Sequence, residues 1–338
     1  MSKSKLDISK NSYLNDSSFQ PNHLHIKFKG SEINHIVLNV LRRVMLEDIP
    51  SLAFNKDNID ISKNTSVYNN DYMRNRLENL PLIDVNFPLD LDEYNELRRY
   101  TRGRAEYKEP VNEEEVEGEG EGEEKKKDNY LFTIYSKVIN KKDEYFDVTS
   151  DAIEFFDGTK KVKSFYKNPI LIVRLKPGEE FEFSAKADKG IPMNHSIYAS
   201  VGMCCYEMIN DNEYIFKFEP RGQLSVSEIL SRTCKIIKFR LEFIMNVIKK
   251  IKFTSDNHGK IILNNEDHTF GNLIARGLQD HKNIDFAGYK LDHLLIRDVT
   301  IEYVTNGSKT INEILNDVLS GYIKLYAEME EHFHKFKL

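Results

Sequence analysis

The sequence predicts an α+β fold of two tandem units, each made of strands, a short motif helix and a long closing helix. The two units pair within one chain, and a β-rich insertion interrupts the first. Three observations carry this. In residues 31–51 the apolar side chains Ile33, Ile36, Val37, Val40, Leu41, Val44 and Met45 recur at the i, i+3, i+4, i+7 spacing of an amphipathic helix. A second stretch repeats it: His268-Thr269-Phe270-Gly271-Asn272 with Arg276 lies over His35-Ile36-Val37-Leu38-Asn39 with Arg43, and has its own stripe at Phe270, Leu273, Ile274, Gly277 and Leu278. Each motif is followed at a distance by a heptad-spaced helix, one carrying Leu230, Cys234, Ile237, Leu241, Ile244, Ile248 and Ile251, the other Ile311, Leu315, Val318, Tyr322, Leu325 and Met329. Burying one such side chain is worth roughly 1.5–3 kcal/mol. Both stripes therefore need a partner, and the economical one is each other.

Taken in order, residues 1–21 are polar and end at Pro21, the composition of a mobile tail. Leu24, Ile26 and Phe28 alternate with polar residues and predict a strand. Ser31 is the expected cap of the motif helix, and Pro50 its stop. A strand through Ile59 and Ile61 and a short helix over 71–77 complete the first half of unit one, 22–83. Residues 84–212 read as the insertion. They hold an acidic loop at about 106–128, centred on EEEVEGEGEGEE, whose self-repelling composition predicts disorder. Pro177-Gly178 predicts a hairpin over 170–185. Tyr214, Phe216 and Phe218 return to unit one, whose second half is 213–252, and residues 258–338 form unit two.

Composition limits what the chain can do. It has 338 residues, 40% hydrophobic and 30% charged, enough for two domains with real cores. No apolar run approaches the ~20 residues that span a bilayer, so no membrane role is expected. Three cysteines (Cys204, Cys205, Cys234) form no paired framework and no CxxC, pointing to a reducing, cytoplasmic setting. A net charge of −6 weighs against direct, sequence-specific grip on nucleic acid. The histidine pairs His23/His25 and His332/His334 lack a third ligand at a diagnostic spacing, and Gly307-Ser308-Lys309-Thr310 lacks the glycine and the Gly-Lys order of a phosphate loop. No catalytic residue and no metal site is expected. A free-standing homodimeric, transcription-associated interaction protein that binds DNA is the alternative that heptads and arginines suggest, and the acidic balance weighs against it.

With these words in it, the plan resembles the alpha-like subunits of multisubunit DNA-dependent RNA polymerases. Asn39-Val40-Leu41-Arg42-Arg43-Val44-Met45-Leu46-Glu47-Asp48-Ile49-Pro50-Ser51, Arg76-Leu77 and Leu80-Pro81-Leu82 look like the archaeal D-like proteins, the third eukaryotic subunit and the bacterial alpha amino-terminal domain. Leu175-Lys176-Pro177-Gly178-Glu179 and Gly190-Ile191-Pro192-Met193-Asn194-His195 echo that family's insertion. Glu266-Asp267-His268-Thr269-Phe270-Gly271-Asn272-Leu273 and Phe286-Ala287-Gly288-Tyr289 resemble the archaeal L-like proteins and the eleventh eukaryotic subunit. Here the two are fused, as in large cytoplasmic DNA viruses.

The resemblance implies a non-catalytic platform on which the largest and second-largest polymerase subunits assemble, joined by small zinc-binding subunits. The catalytic Mg²⁺ would sit in the large subunits, with no cofactor here, and the chain would be cytoplasmic, in the virus factory and the virion if viral and otherwise at the site of transcription. It further implies interface residues: Asn39, Arg42, Arg43 and Glu47 towards the second-largest subunit, and His268, Asn272 and Arg276 towards the largest. Leu230, Ile237, Leu241, Ile244, Ile248, Ile311, Leu315, Val318, Tyr322 and Met329 would form the pairing core. The chain departs from the family pattern in three places: Cys204-Cys205 stand where some relatives carry a cysteine-rich metal loop, Leu294 follows His293 where His-Pro is common, and the acidic insertion has no counterpart.

Overall fold

Alternation in β strands and 3.6-residue periodicity in helices are both realised, in the order β1 (Asp7–Lys10), β2 (Leu24–Lys29), α1 (His35–Glu47), β3 (Ser51–Ala53), β4 (Ile59–Asn64), α2 (Asn70–Glu78), α3 (Leu91–Arg99), β5 (Phe132–Ile139), β6 (Phe146–Thr149), β7 (Glu154–Asp157), β8 (Lys160–Val162), β9 (Leu171–Leu175), β10 (Glu180–Gly190), β11 (Val201–Asn210), β12 (Glu213–Pro220), α4 (Val226–Lys250), β13 (His258–Asn264), α5 (His268–Gln279), β14 (Ile284–Leu291), β15 (Asp298–Thr305) and α6 (Ile311–Lys335). The computed structural model describes residues 6–10, 24–83, 85, 87–99, 132–251, 253, 257–292 and 298–335. The acidic loop expected at 106–128 lies outside them.

Unit one is a four-stranded sheet, β1-β2-β12-β11, covered by α1. In the β2–β12 register Ile26 faces Phe216 and Phe28 faces Tyr214, which stacks these side chains on the core side. Strand β1 is a correction: Asp7–Lys10 belong to the span expected as tail, yet they pair with β2 and bury Ile8. A four-residue strand with one apolar contact leaves too weak a pattern in the sequence. The helix start also moves. Asn34, not Ser31, caps α1, its Oδ1 accepting the amides of Ile36 and Val37 at 3.0 and 2.9 Å. The expected stripe of α1 is buried, and so is Leu38 off it, because α4, α5 and β11 all pack on this helix.

The insertion is less separable than its composition suggests. Its main sheet, β3-β10-β5-β7-β8, takes β3 at one edge, and β4 pairs with β10 as well, so two strands from the span expected as unit one hydrogen-bond with it. In return β11, expected in the insertion, is the edge strand of unit one's sheet. The hairpin expected over 170–185 is absent: β9 pairs with β6 and β10 with β3, β4 and β5. The turn itself is real, with Gly178 at φ +77°. Strand alternation reports which faces are buried and says nothing about which neighbour supplies the hydrogen bonds. Helix α3, not picked out from the sequence, sets Tyr94 and Arg98 into the core, with Leu91 and Leu97 half-buried against it.

Unit two is the sheet β13-β15-β14 with α5 against it. The long helices α4 and α6, 25 residues each, pack along one another as an antiparallel pair. Ser231 near the start of α4 and Lys238 at its middle bond Glu330 near the end of α6, while Ile248 near α4's end lines a groove with Leu315 near α6's start. Leu230, Cys234, Ile237, Leu241, Ile244 and Ile248 are buried on α4, and Ile311, Leu315, Leu325 and Met329 on α6. Val318 and Tyr322 are a correction, since they are only half-buried and rest against Gly277 of α5. Ile314, Leu319, Tyr326 and Phe333 are buried on α6 as well. Tyr326 donates to the carbonyl of Val37 at 3.0 Å, and Phe333 meets Phe28 edge-on, so unit two's last helix reaches into unit one's core.

Leu241→Ala should cost about 2–5 kcal/mol of unfolding free energy in urea titration, as a cavity opens in the seam. Gly277→Ala sets two effects against each other. Alanine is the better helix former by about 1 kcal/mol, but its Cβ would come within 2.4 Å of Val318 Cγ1 and 2.8 Å of the Tyr322 ring. The clash should win, with a net loss of about 1–3 kcal/mol.

Candidate docking surface

The apolar face of α1 is fully used by the core, so its other face is what the molecule can offer. That face carries Asn39, Arg42, Arg43 and Glu47. Asn39 Oδ1 accepts from Arg42 Nε and Nη2 at 3.1 and 2.9 Å, which holds the guanidinium along the helix. Arg43 bonds Glu47 one turn on at 2.9 Å and approaches Asp267, the cap of α5, at 3.9 Å. Burial pushes the Glu47 carboxyl above its usual value, against the pull of Arg43. The side chains of Arg43 and Glu47 remain 37% and 32% exposed, so this is a positioned polar surface and not a closed cluster.

The repeat in α5 is present in form. His268 and Arg276 are exposed and Asn272 is half-buried, one turn apart along the helix. Arg276 bonds Asp280 at 2.9 Å, and His268 meets Tyr289 edge-on. The Arg43–Asp267 approach brings the end of the first face to the start of the second, so α1 and α5 present one polar surface.

Behind it lies a cluster of charged residues that periodicity could not show. Asp48, at the end of α1, accepts from Arg240 of α4 at 3.0 Å and from the Tyr94 hydroxyl of α3 at 3.1 Å. Arg240 also bonds Glu266, just before α5, and its guanidinium lies 3.7 Å over the Phe270 ring. Arg98 of α3 closes the set, 3.6 Å from Asp48, 3.4 Å from Glu266 and 3.3 Å from the Asn265 carbonyl. Asn265 turns that carbonyl inward with a left-handed φ of 62°, a conformation asparagine tolerates. Each charge is at most 7% exposed and each faces an opposite one, the condition for ions to survive out of water. The cluster ties unit one, the insertion and unit two together directly under the polar surface. Arg232, wholly buried, ties Glu228, the Pro50 carbonyl and the Phe87 ring together in the same manner.

The loop Gly190-Ile191-Pro192-Met193-Asn194-His195 sits at the end of α1. The Met193 amide donates to the Glu47 carbonyl at 2.9 Å, and Asn194 donates to the Leu97 carbonyl of α3 at 2.9 Å. The motifs that looked separate in sequence therefore converge on one corner. Among the described residues no group of three or more His, Cys, Asp or Glu could hold a metal ion. Cys204 is buried against Met45, and burial pushes its thiol well up.

Arg240→Ala should cost about 3–5 kcal/mol by chemical denaturation, because it leaves two buried carboxylates, Asp48 and Glu266, with Arg98 as their one remaining countercharge in the cluster. At Asp267, burial alone would raise the carboxyl, but the Arg240 charge and the Thr269 bonds bring it below its usual value. Its charge therefore stabilises the fold above the ordinary Asp range of about 4, and that contribution is lost as pH falls through the lowered native value. Asp267→Asn keeps a cap acceptor, so its stability deficit at neutral pH should shrink on acidification in a pH series of thermal unfolding.

Comparison with known proteins matches this architecture. The RNA polymerase Rpb3/Rpb11 dimerisation domain family matches the chain twice, over residues 27–241 and 258–332. A putative DNA-directed RNA polymerase subunit of Acanthamoeba polyphaga mimivirus is 30% identical over 92% of this chain and 90% of its own length. Subunit 3B of the Arabidopsis thaliana DNA-directed RNA polymerases IV and V is 24% identical over 82% of this chain and 89% of its own. Subunit Rpo11 of the Sulfolobus acidocaldarius polymerase is 38% identical over 24% of this chain and 92% of its own length, a relative of one unit alone. The chain belongs to the Rpb3/Rpb11 dimerisation-domain family of RNA polymerase subunits.

Proposed function

We propose that this family member is a non-catalytic assembly platform of a DNA-dependent RNA polymerase, the single-chain counterpart of the D/L heterodimer or the alpha dimer. The observation that carries the reading is the α4–α6 seam. The apolar surface that could hold two separate chains together is consumed within one, and the polar faces of α1 and α5 are left outward and side by side. A guanidinium held by a neighbouring amide, as Arg42 is by Asn39, is prepared to bind carboxylates or carbonyls of another protein at little entropic cost.

In this reading Asn39, Arg42, Arg43 and Glu47 receive the second-largest catalytic subunit, and His268, Asn272 and Arg276 receive the largest. Small zinc-binding subunits join beside them. The catalytic Mg²⁺ belongs to the large subunits, and this chain contributes positioning without sequence-specific contact to DNA. The mimivirus relative supports a viral polymerase, and the place of work that goes with this reading is a cytoplasmic virus factory and the virion.

Gentle purification of the tagged chain from its producing cells should bring down two very large proteins, and the eluate should make RNA from DNA with Mg²⁺. Recovery of the chain alone would overturn the platform reading. Arg42→Glu with Arg43→Glu should leave the chain folded, since exposed ion pairs contribute only about 0–1 kcal/mol, and should abolish recovery of the second-largest subunit. Unchanged co-purification would exclude the α1 face as its site. Native mass spectrometry of the isolated chain should show a monomer, since both seam helices are already paired.

A further inference from the structure

Among the edge strands one is unlike the rest. Strand β11 ends the four-stranded sheet, with β12 on one side and no backbone hydrogen bond from the ladder positions on its other side among the described residues. An unpaired edge is a row of amides and carbonyls ready to template another strand, and proteins ordinarily blunt it with lysine, arginine or proline. The other edge strands of comparable length do so: β4 carries Lys63, β9 Arg174, β13 Lys260 and β14 Lys290. Strand β11, VGMCCYEMIN, is 10 residues long, the longest of these edges, and carries none of the three; its ladder to β12 shifts register near each end and runs regularly over Cys204–Met208.

Its side chains are unprotected as well. Met203, Met208 and Ile209 are 38%, 55% and 50% exposed. Met208 pairs with Tyr214 on the core side of the pleat, whereas Cys205 and Glu207 pair with Lys217 and Ile215 on the opposite side. The strand's one charge, Glu207, is engaged by Lys217 at 2.8 Å. Apolar surface left open beside an unpaired backbone is what an added strand would cover.

The surroundings say which strand. The core side of β11 packs on α1, with Cys204 Sγ 3.8 Å from Met45 Sδ. Arg42, in the proposed docking face, stands one helical turn before Met45 on α1. Strand β11 and helix α1 are therefore direct neighbours, with Arg42 on the turn of α1 beside their contact.

We propose that β11 accepts an extended segment of the same large polymerase subunit that meets α1, pairing backbone to backbone and presenting apolar side chains with an acidic residue placed for Arg42. This rests on the platform reading and adds the mode of contact. Docking would then combine a sequence-tolerant backbone ladder with one charged contact that sets register.

Hydrogen exchange of the full chain, alone and within the purified polymerase, tests it. Peptides spanning 201–210 should exchange at least about tenfold more slowly in the assembly, while those from the already paired β12 should change little. Met203→Lys with Met208→Lys, at exposed positions that leave the isolated chain folded, should lower recovery of the large subunit about tenfold or more with Arg42 and Arg43 intact. Unchanged exchange at 201–210 in a polymerase that still loses its large subunit on Arg42→Glu/Arg43→Glu would overturn the strand and leave the platform standing. Protection that appears in the isolated chain and tracks dimer formation would assign the edge to a second copy and also overturn it. A chain that recruits no large subunit would overturn both.

Discussion

The antiparallel pairing of α4 and α6 is the constraint from which the remaining architecture follows. Each helix carries an apolar stripe too long to leave in water, and each closes a unit whose sheet is otherwise covered on one side by a single short helix. Laying the two stripes together fixes the units face to face. It also sends the end of α6 into unit one, where Tyr326 and Phe333 meet Val37 and Phe28. Once this seam is formed, α1 and α5 have no freedom to face elsewhere. Their apolar sides are committed to the core and their polar sides emerge together.

Hydrophobic contact is tolerant of small slides, and buried ions are not. The Asp48–Arg240–Glu266–Arg98 cluster requires four carboxylate and guanidinium groups from α1, α4, the turn before α5 and α3 to meet within hydrogen-bonding reach. A seam shifted by one turn would leave charges unpaired out of water, at a cost of several kcal/mol. We read the cluster as the element that selects one register among those the seam would accept. It also gives the insertion a structural task, since Tyr94 and Arg98 bring α3 into the joint between the two units.

The helices are legible because their stripes are long: α1, α4, α5 and much of α6 follow from spacing alone. The failures share a cause. Whether Asn34 or Ser31 caps α1 depends on where the chain turns after Gly30, which both residue types permit. The false hairpin and the exchanged strands β3, β4 and β11 are questions of pairing partner, to which alternation is blind. On α6, Val318 and Tyr322 obey the heptad yet serve α5, because Gly277 leaves room for them there. One missed signal was available. Arg232 and Arg240 fall eight residues apart on the flank of α4's apolar stripe, Arg240 in step with Ile236 and Ile237, where a charge is costly unless carboxylates wait for it. Reading those arginines as core residues would have prompted a search for Asp48 and Glu266.

Carrying both units on one polypeptide changes the mass action of the pair. Two separate chains find each other at a rate and to an extent set by their concentrations, and an excess of either is left with its closing helix bare. Here α4 ends at Lys250 and β13 begins at His258, so the second unit is always within a short reach of the first. Such a tether replaces the cellular concentration of a partner with an effective one, on the order of millimolar for short linkers. Pairing becomes a first-order event with a fixed one-to-one stoichiometry, insensitive to dilution. A genome that encodes the two halves as one message needs no matching of their expression.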